Sequence, residues 1–528
     1  MTKNKIIKIA LILIGPLMFF SCQDELNKHY ERAATLPDQN LYELINQNPD
    51  LTKFSRLIEI AGYDTLLSST QSYTVWAPVN ESLSGIDLTT IDKVQARLIV
   101  NNHIARFINS TAIAPGQFIR MNNYKMYSFS TGSTSFGGSE LITHDILARN
   151  GVLHTIKEQI LYHNNLYEYI LSTPNTNKLS AFIRSFEEKR FDEALSTPID
   201  IDNNGRTVYD SVTTTYNRLF NDNLGIINTE DSIYTMLIPS DKAWDAAYAR
   251  ISPYFKIYSS NMAYADSLKN IQTSLAILND LIYRGAIENP SLYDSIISTS
   301  GSVIHNPGSL FNGAEKKIAS NGLVYLTDDL KYNNIETWNK NILLECEAVE
   351  GRVAGPNTGI NTRTVTNSNL FSVSDFRYIE VVPNSTTAQP AVTFDVPNVL
   401  SGKYDIYVEF IPASIDGSPR DSTKLLFDLT YLTATGSSTN LTLKLNTFVT
   451  SGTQKVKMKV LSGFEFPVSN FYDRLWWIDY KAGLHSFNEH VVTTRLMVKT
   501  NVSTAELNNN IFTRKFRIDR VIFESVSN

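Results

Sequence analysis

The chain has 528 residues, a hydrophobic fraction of 42% and a charged fraction of 19%, which supplies apolar mass for several cores and excludes a disordered chain. Its net side-chain charge of −6 leaves nothing to offset phosphate repulsion and excludes nucleic acid as a partner. Two cysteines exclude a disulfide framework as the main source of stability.

Lys3, Lys5 and Lys8 precede an apolar run, Ile9 to Phe20, that ends at Ser21-Cys22. A helix of that length spans about 18 Å, short of the roughly 30 Å core of a bilayer, so residues 1–21 read as a signal peptide. The small residue before Cys22 resembles a bacterial lipobox, although Phe19-Phe20 departs from its pattern. The resemblance implies lipidation of Cys22 and a membrane partner through that anchor. Gln23-Asp24-Glu25 resembles the surface-export signal of Bacteroidetes lipoproteins, which implies an outer-membrane protein facing the exterior. Residues 22–35 are then a lipid-anchor linker. With Cys22 acylated, Cys346 has no partner and reads as a buried small hydrophobe.

Next comes an internal repeat. Leu41-Tyr42-Glu43 and Leu166-Tyr167-Glu168 each open a helical pattern. Tyr73 to Pro78 is matched by Tyr234 to Pro239, Leu98 to Phe107 by Leu278 to Gly285, and Asn150 to His154 by Asn321 to Tyr325. The Tyr-Thr runs are short, β-branched or apolar, and stopped by proline, which predicts buried strands. Asn80-Glu81 predicts a helix after Pro78. Asn150-Gly151 and Asn321-Gly322 predict turns that feed alternating strands. The second copy carries an insertion near residues 186–229. Within it Ile199 to Ile201 and Thr207 to Tyr209 flank Asn203-Asn204-Gly205, a hairpin pattern.

Thr74-Val75-Trp76-Ala77-Pro78-Val79-Asn80 and Asn150-Gly151-Val152-Leu153-His154 resemble the two signature blocks of the fasciclin (FAS1) family. His103 resembles the family's histidine between them. The second copy departs, with Tyr325 in place of the histidine. The resemblance implies two FAS1-like domains, residues 36–163 and 164–335, each a wedge-shaped β-sandwich with a helical layer. It also implies adhesion or binding rather than catalysis.

From about Asn341 short alternating segments such as Tyr404 to Phe410 and Lys455 to Val460 predict an antiparallel sandwich over 341–528. The fold class is therefore α+β followed by all-β. Leu344 to Ala348 and Phe516 to Phe523 resemble the first and last strands of galactose-binding-like sandwiches, a group that includes carbohydrate-binding modules.

No G-x-S-x-G, P-loop or Rossmann fingerprint appears, so no catalytic residue and no cofactor is assigned. His103 and His154 read as core groups. His485 and His490, with Glu489, lack the H-E-x-x-H pattern and read as structural or exposed. Asp200, Asp202 and Asn204 sit at positions 1, 3 and 5 of a D-x-D-x-N-G run, as in calcium loops, but Ser211 stands where the bidentate glutamate belongs. The alternatives are a calcium site and a plain hairpin turn. Trp476-Trp477 lies in a run read as a strand, which sends the two rings to opposite faces. One ring then offers a platform for a glycan, extended by Tyr472 and Tyr480, unless a neighbouring loop covers it. Thr65, Ser211, Ser232, Ser267, Ser295 and Ser422 follow aspartate in triplets that resemble Bacteroidetes O-glycosylation sites. The leading expectation is a surface lipoprotein that binds glycan or peptide without catalysis, as accessory to a TonB-dependent importer. The alternatives are an adhesin or matrix protein and a glycan-active enzyme.

Overall fold

In the computed structural model Asn40 caps the first helix, Leu41–Gln47 (α1): its side chain accepts from the Glu43 N–H at 2.9 Å, and Glu43 accepts from the Asn40 N–H at 2.9 Å. The structure describes residues 37–112, 118–129, 131–191, 197–210, 213–365, 372–417, 421–481, 483 and 492–526. The signal peptide, Cys22, Ser211 and the His485 to His490 segment lie outside the described residues. The chain divides into two units, Met1–Asn164 and Asn165–Asn528.

In the first unit Thr52–Ala61 (α2) buries Phe54, Leu57, Ile58 and Ala61 on one face. Tyr73–Pro78 (β1) is buried throughout and pairs antiparallel with Ile104–Arg106 (β2), which follows Lys93–Asn101 (α3). Ser139–Ala148 (β3) turns back into Gly151–Ile156 (β4), and β4 runs parallel to β1 with Tyr73 opposite Gly151. The period of two along β1 splits the core. Tyr73, Val75 and Ala77 join the helices, while Trp76 faces Phe129, Phe136 and Ile156. Trp76 is fully buried and stacks on Phe136 at 4.1 Å. The helix expected after Pro78 does not form; residues 80–85 are turns. Asn80 instead spends its carboxamide on the Lys53 N–H and the Pro49 carbonyl, each at 2.8 Å, which ties the strand end to the start of α2.

The second unit begins with the same arrangement. Leu166–Ser172 (α4) has an Asn165–Glu168 capping box, and Asn177–Arg184 (α5) follows. The insertion is a two-tier hairpin: Glu187–Phe191 (β5) pairs with Thr213–Asn217 (β8), and Thr197–Ile201 (β6) with Thr207–Asp210 (β7). Leu219–Leu224, one π-helical stretch, then buries Leu219, Phe220 and Leu224. Tyr234–Pro239 (β9) leads through Asp241–Ile251 (α6) and Met262–Leu278 (α7) to Ile282–Arg284 (β10). Glu315–Ala319 (β11) and Gly322–Thr327 (β12) complete a sheet of order β10-β9-β12-β11, matching the order β2-β1-β4-β3. Tyr234 lies opposite Gly322 as Tyr73 lies opposite Gly151.

One carboxamide organises each copy. Asn150 accepts from the Leu41 N–H at 2.9 Å and donates to the carbonyls of Leu67 and Ser69 at 2.8 Å. Asn321 accepts from Leu166 at 2.9 Å and donates to Ile227 and Thr229 at 2.8 Å. The glycine after each asparagine has positive φ, and a Cβ there would stand 1.9 Å from the Tyr73 oxygen or 1.8 Å from that of Tyr234. Only glycine fits.

The remainder is an antiparallel sandwich. One sheet holds Ile342–Glu345 (β13), Thr358–Thr364 (β15), Arg377–Pro383 (β16), Lys403–Phe410 (β18), Val456–Glu465 (β21) and Phe516–Val526 (β23). The facing sheet has the order β14-β17-β22-β19-β20, with Arg352–Ala354 (β14), Ala391–Asp395 (β17), Leu425–Leu432 (β19), Ser438–Leu443 (β20) and Arg495–Thr500 (β22). The expected first and last strands are hydrogen-bonded neighbours, Leu344 opposite Val521. Cys346 is a buried free thiol.

Replacing Asn150 with Ala strands one buried N–H and two carbonyls, and each such group costs about 1–3 kcal/mol. Asn150→Ala is expected to destabilise the first unit by at least about 2 kcal/mol, and Trp76→Ala by about 3–5 kcal/mol, read as lower urea midpoints by circular dichroism.

Candidate functional site

The histidines of the first unit are locked core groups. His103 Nδ1 donates to the Ile99 carbonyl at 2.8 Å while its Nε2 accepts from the Ile160 N–H at 3.0 Å. Burial pulls its pKa down to about 4, so the ring is neutral at physiological pH. His154 Nε2 donates to the Asn109 carbonyl at 2.9 Å and its Nδ1 accepts from Asp145 at 3.3 Å; burial lowers its pKa as well. Both nitrogens of each ring are occupied, which leaves neither as a base. Tyr325, the counterpart in the second copy, also bonds backbone, donating to Ile287 and Glu288.

Asp200 lies in β6, and residues 202–206 form the turn into β7. Asp202 Oδ1 accepts from the N–H groups of Asn204 and Arg206, each at 2.8 Å, and the Asp202 carbonyl accepts from Gly205 at 2.9 Å. These bonds fasten the turn and engage the Asp202 oxygen on the backbone. Asn204 is exposed. Of the glycosylation-type residues, Thr65, Ser232, Ser267 and Ser295 are exposed and Ser422 is half-buried.

Trp476-Trp477 corrects a second expectation. Arg474–Lys481 is a helix (α8), not a strand. Asp473 starts it: its Oδ1 accepts from the Leu475 N–H at 2.5 Å, while Asn279 donates to Oδ2 at 2.9 Å. The rings therefore sit about 100° apart rather than on opposite faces. Trp476 is buried, and Trp477, Tyr472 and Tyr480 are half-buried. Tyr472 lies 4.7 Å from Trp476, and Tyr480 stacks parallel to it at 5.7 Å. Trp477 meets Trp476 edge-on at 5.1 Å and Tyr480 at 5.9 Å. The four rings thus form one cluster, three of them on α8 and Tyr472 just before it, and Arg218–Asp479 at 2.8 Å ties the helix to the end of β8.

A carboxylate cluster that the sequence reading did not single out lies where the sandwich begins. Oxygens of Glu345, Glu347 and Asp375 lie within 4.8 Å of one another, and among the described residues this is the one such acidic group able to hold a metal. Ser374 Oγ donates to Glu345 Oε1 at 2.9 Å, and the Ser374 N–H donates to Asp519 at 3.1 Å. Glu345 Oε2 and Glu347 Oε2 are buried without a hydrogen-bond partner. Burial first, then the neighbouring Glu347 and Asp519 charges, push the Glu345 carboxyl up, against the Ser374 hydroxyl and Arg520. Asp519 is raised by burial and opposed by Lys455 at 2.5 Å. Two orphaned buried oxygens beside a third carboxylate fit a hard cation such as Ca²⁺, which takes oxygen ligands at about 2.3–2.6 Å. A signal was present: Glu345 closes β13 and Glu347 follows in the next turn, beside the strand that carries Asp519.

Residues 49–162 match the fasciclin domain. The chain is similar to the transforming growth factor-beta-induced protein ig-h3 of Oryctolagus cuniculus, 26% identical over 142 residues, or 25% of this chain and 20% of that protein. The aligned stretch is thus about a fifth of the relative's length. Among solved structures, a FAS1 domain pair from the insect cell adhesion molecule Fasciclin I overlaps 55% of this chain and 99% of its own, at 15% identity and TM-score 0.21. The CBM22-2 xylan-binding domain of Paenibacillus barcinonensis Xyn10C overlaps 35% of this chain and 99% of its own, at 10% identity and TM-score 0.21. Those scores are too low to establish a shared fold. No helix among the described residues is long and apolar enough to cross a membrane.

Ca²⁺ is expected to raise the unfolding temperature of the second unit, with about 2.7 kcal/mol gained at a hundredfold excess over Kd. Without the ion a raised carboxyl such as Glu345 loses stability as pH climbs through its pKa, because the folded state holds the proton more tightly. Calorimetry with calcium against chelator, at pH 4 and pH 7, should show the larger calcium gain at pH 7 and no gain in Glu347→Gln.

Proposed function

We propose that this protein is a non-enzymatic binding protein of the cell surface. The fasciclin match over residues 49–162 carries the reading. It is supported by the two histidines there being sealed into the core with both nitrogens bonded. Residues 164–335 are read as a second fasciclin-type module, since the sheet order, the register and the Asn-Gly device recur.

The finer reading follows the sequence. Cys22 is the lipidated N-terminus of an outer-membrane lipoprotein facing outward. The fasciclin-type modules make protein contacts, and the sandwich offers ligand a surface at the Tyr472, Trp477 and Tyr480 rings. The ligand is a glycan or peptide delivered to a TonB-dependent importer. A half-buried aromatic cluster supports this, because rings fixed by packing present area at low entropic cost. The second reading, an adhesin, is favoured by the same fasciclin match and differs in its partner, another surface protein.

Palmitate labelling of the native host should tag the wild type and not Cys22→Ala; equal labelling removes the anchor. On a glycan array, Trp477→Ala should weaken capture by about 5- to 150-fold, corresponding to about 1–3 kcal/mol for one stacking ring. Co-purification of an outer-membrane channel separates importer accessory from adhesin, and release of shortened glycan would make the protein an enzyme.

A further inference from the structure

The second unit contains a cavity with its own chemistry at the start of α8, lined by none of the four clustered rings. The strand–helix layer of residues 165–335 meets the sandwich along a polar seam. Asp473 is held there by Asn279, and its N–H donates to Gln272 Oε1 at 3.2 Å. Ser401 Oγ bridges the same seam, donating to the Pro253 carbonyl and accepting from the Lys256 N–H, both at 3.0 Å. A cavity of about 420 Å³ opens beside Asp473. That is within the range of about 300–1,000 Å³ for small-molecule sites.

Three residues of its wall carry buried polar atoms with no hydrogen-bond partner: Asn223 Nδ2, Trp338 Nε1 and Asn279 Oδ1. Asn223 is 9% exposed and Trp338 6% exposed. An unpaired buried polar group costs about 1–3 kcal/mol, and native proteins rarely leave three together. The groups are mixed, two N–H donors and one carbonyl acceptor. The charges along the wall balance. Asp280 accepts from Ser298 at 2.7 Å and Ser300 at 2.5 Å, Lys340 donates to Ser302 at 2.5 Å, and Arg474 stands near Asp473 in the sequence and on the wall. Trp338 adds a ring held edge-on by Tyr254 at 4.8 Å. Mixed donors and acceptors, hydroxyl-rich walls, balanced charge and one fixed aromatic suit a molecule whose hydroxyls both give and take hydrogen bonds.

We infer that this seam cavity binds a small neutral polyhydroxylated ligand of one or two sugar rings, with Asn223, Asn279 and Trp338 as its hydrogen-bonding groups. The inference rests on the binding-protein reading and gives it a second site, whose wall includes none of the clustered rings.

The test is calorimetric titration of the full mature chain with glucose, galactose, mannose, xylose and their β-1,4-linked disaccharides. At least one is expected to bind at one site per chain with Kd at or below about 1 mM, near −4 kcal/mol. Trp338→Phe, which keeps the ring and removes the N–H, and Asn223→Leu should each weaken it tenfold or more. Removing an unpaired amide should leave the unfolding temperature of Asn223→Leu unchanged or higher. Should Asn223→Leu fail to fold, Asn223→Ser takes its place. No binding by any of these sugars, or binding that persists within threefold in either variant, overturns the inference and leaves a hydrated cavity only. Loss of this titration with array capture intact overturns the cavity alone; the reverse pattern overturns the α8 platform alone.

Discussion

The carboxamide of Asn150 reaches three backbone groups in two separate segments, the first helix and the Leu67–Ser69 stretch, while its own carbonyl accepts from the Tyr73 N–H at 3.1 Å. That constraint fixes where β4 begins, and so fixes the parallel register of β4 on β1. The register in turn decides which side of the sheet Trp76 faces and brings His154 under it, with ring centres 5.4 Å apart. Asn321 does the same for β12 and β9. A parallel pair joined by a long crossover has no turn to set its register, so a side chain must do so. Asn-Gly here is therefore a register clamp as well as a turn. The glycine is required because the crossing strand's carbonyl occupies the space of a Cβ.

Much of this was legible because local signals and global fold agree. The repeat blocks, the proline stops and the alternating sandwich strands each carry their own period, and all appear where read. The misses share a cause. Asn80 and Glu81 look like a helix start, yet the Asn80 carboxamide is drawn to α2, and no local pattern reveals that tertiary partner. At Trp476-Trp477 the strand reading missed a helical signal. Aromatic density suggests a strand, but Tyr472, Trp476 and Tyr480 recur at four, a helical spacing, and Asp473 precedes Trp476 and Tyr480 as a cap. The acidic group escaped notice because Asp375 joins Glu345 and Glu347 only after the chain has returned through β14 and β15.

Charge inside the sandwich is handled pairwise. Lys455 sits between Glu409 at 2.9 Å and Asp519 at 2.5 Å, and Arg520 reaches Glu409 at 3.0 Å. Glu345 and Glu347 form no such ion pair among the described residues, and Arg520, opposite Glu345 in the sheet, opposes the upward push on its carboxyl. The strand order, which sends β13 to lie beside β23, brings the Glu345 carboxylate close to that of Asp519.

That last strand has a further consequence. Phe516–Val526 pairs with β13, β16 and β18, strands from across the sandwich. During synthesis all three emerge long before it, each missing a neighbour, and the pairing between β13 and β23 closes a loop of some 175 residues. Contacts so distant form slowly. Until residue 526 is free, the nascent sheet shows open edges, the state most prone to join a second chain. The sandwich is consequently the part of this protein that gains most from a holding chaperone, and the part that loss of Phe516–Val526 would leave without a centre.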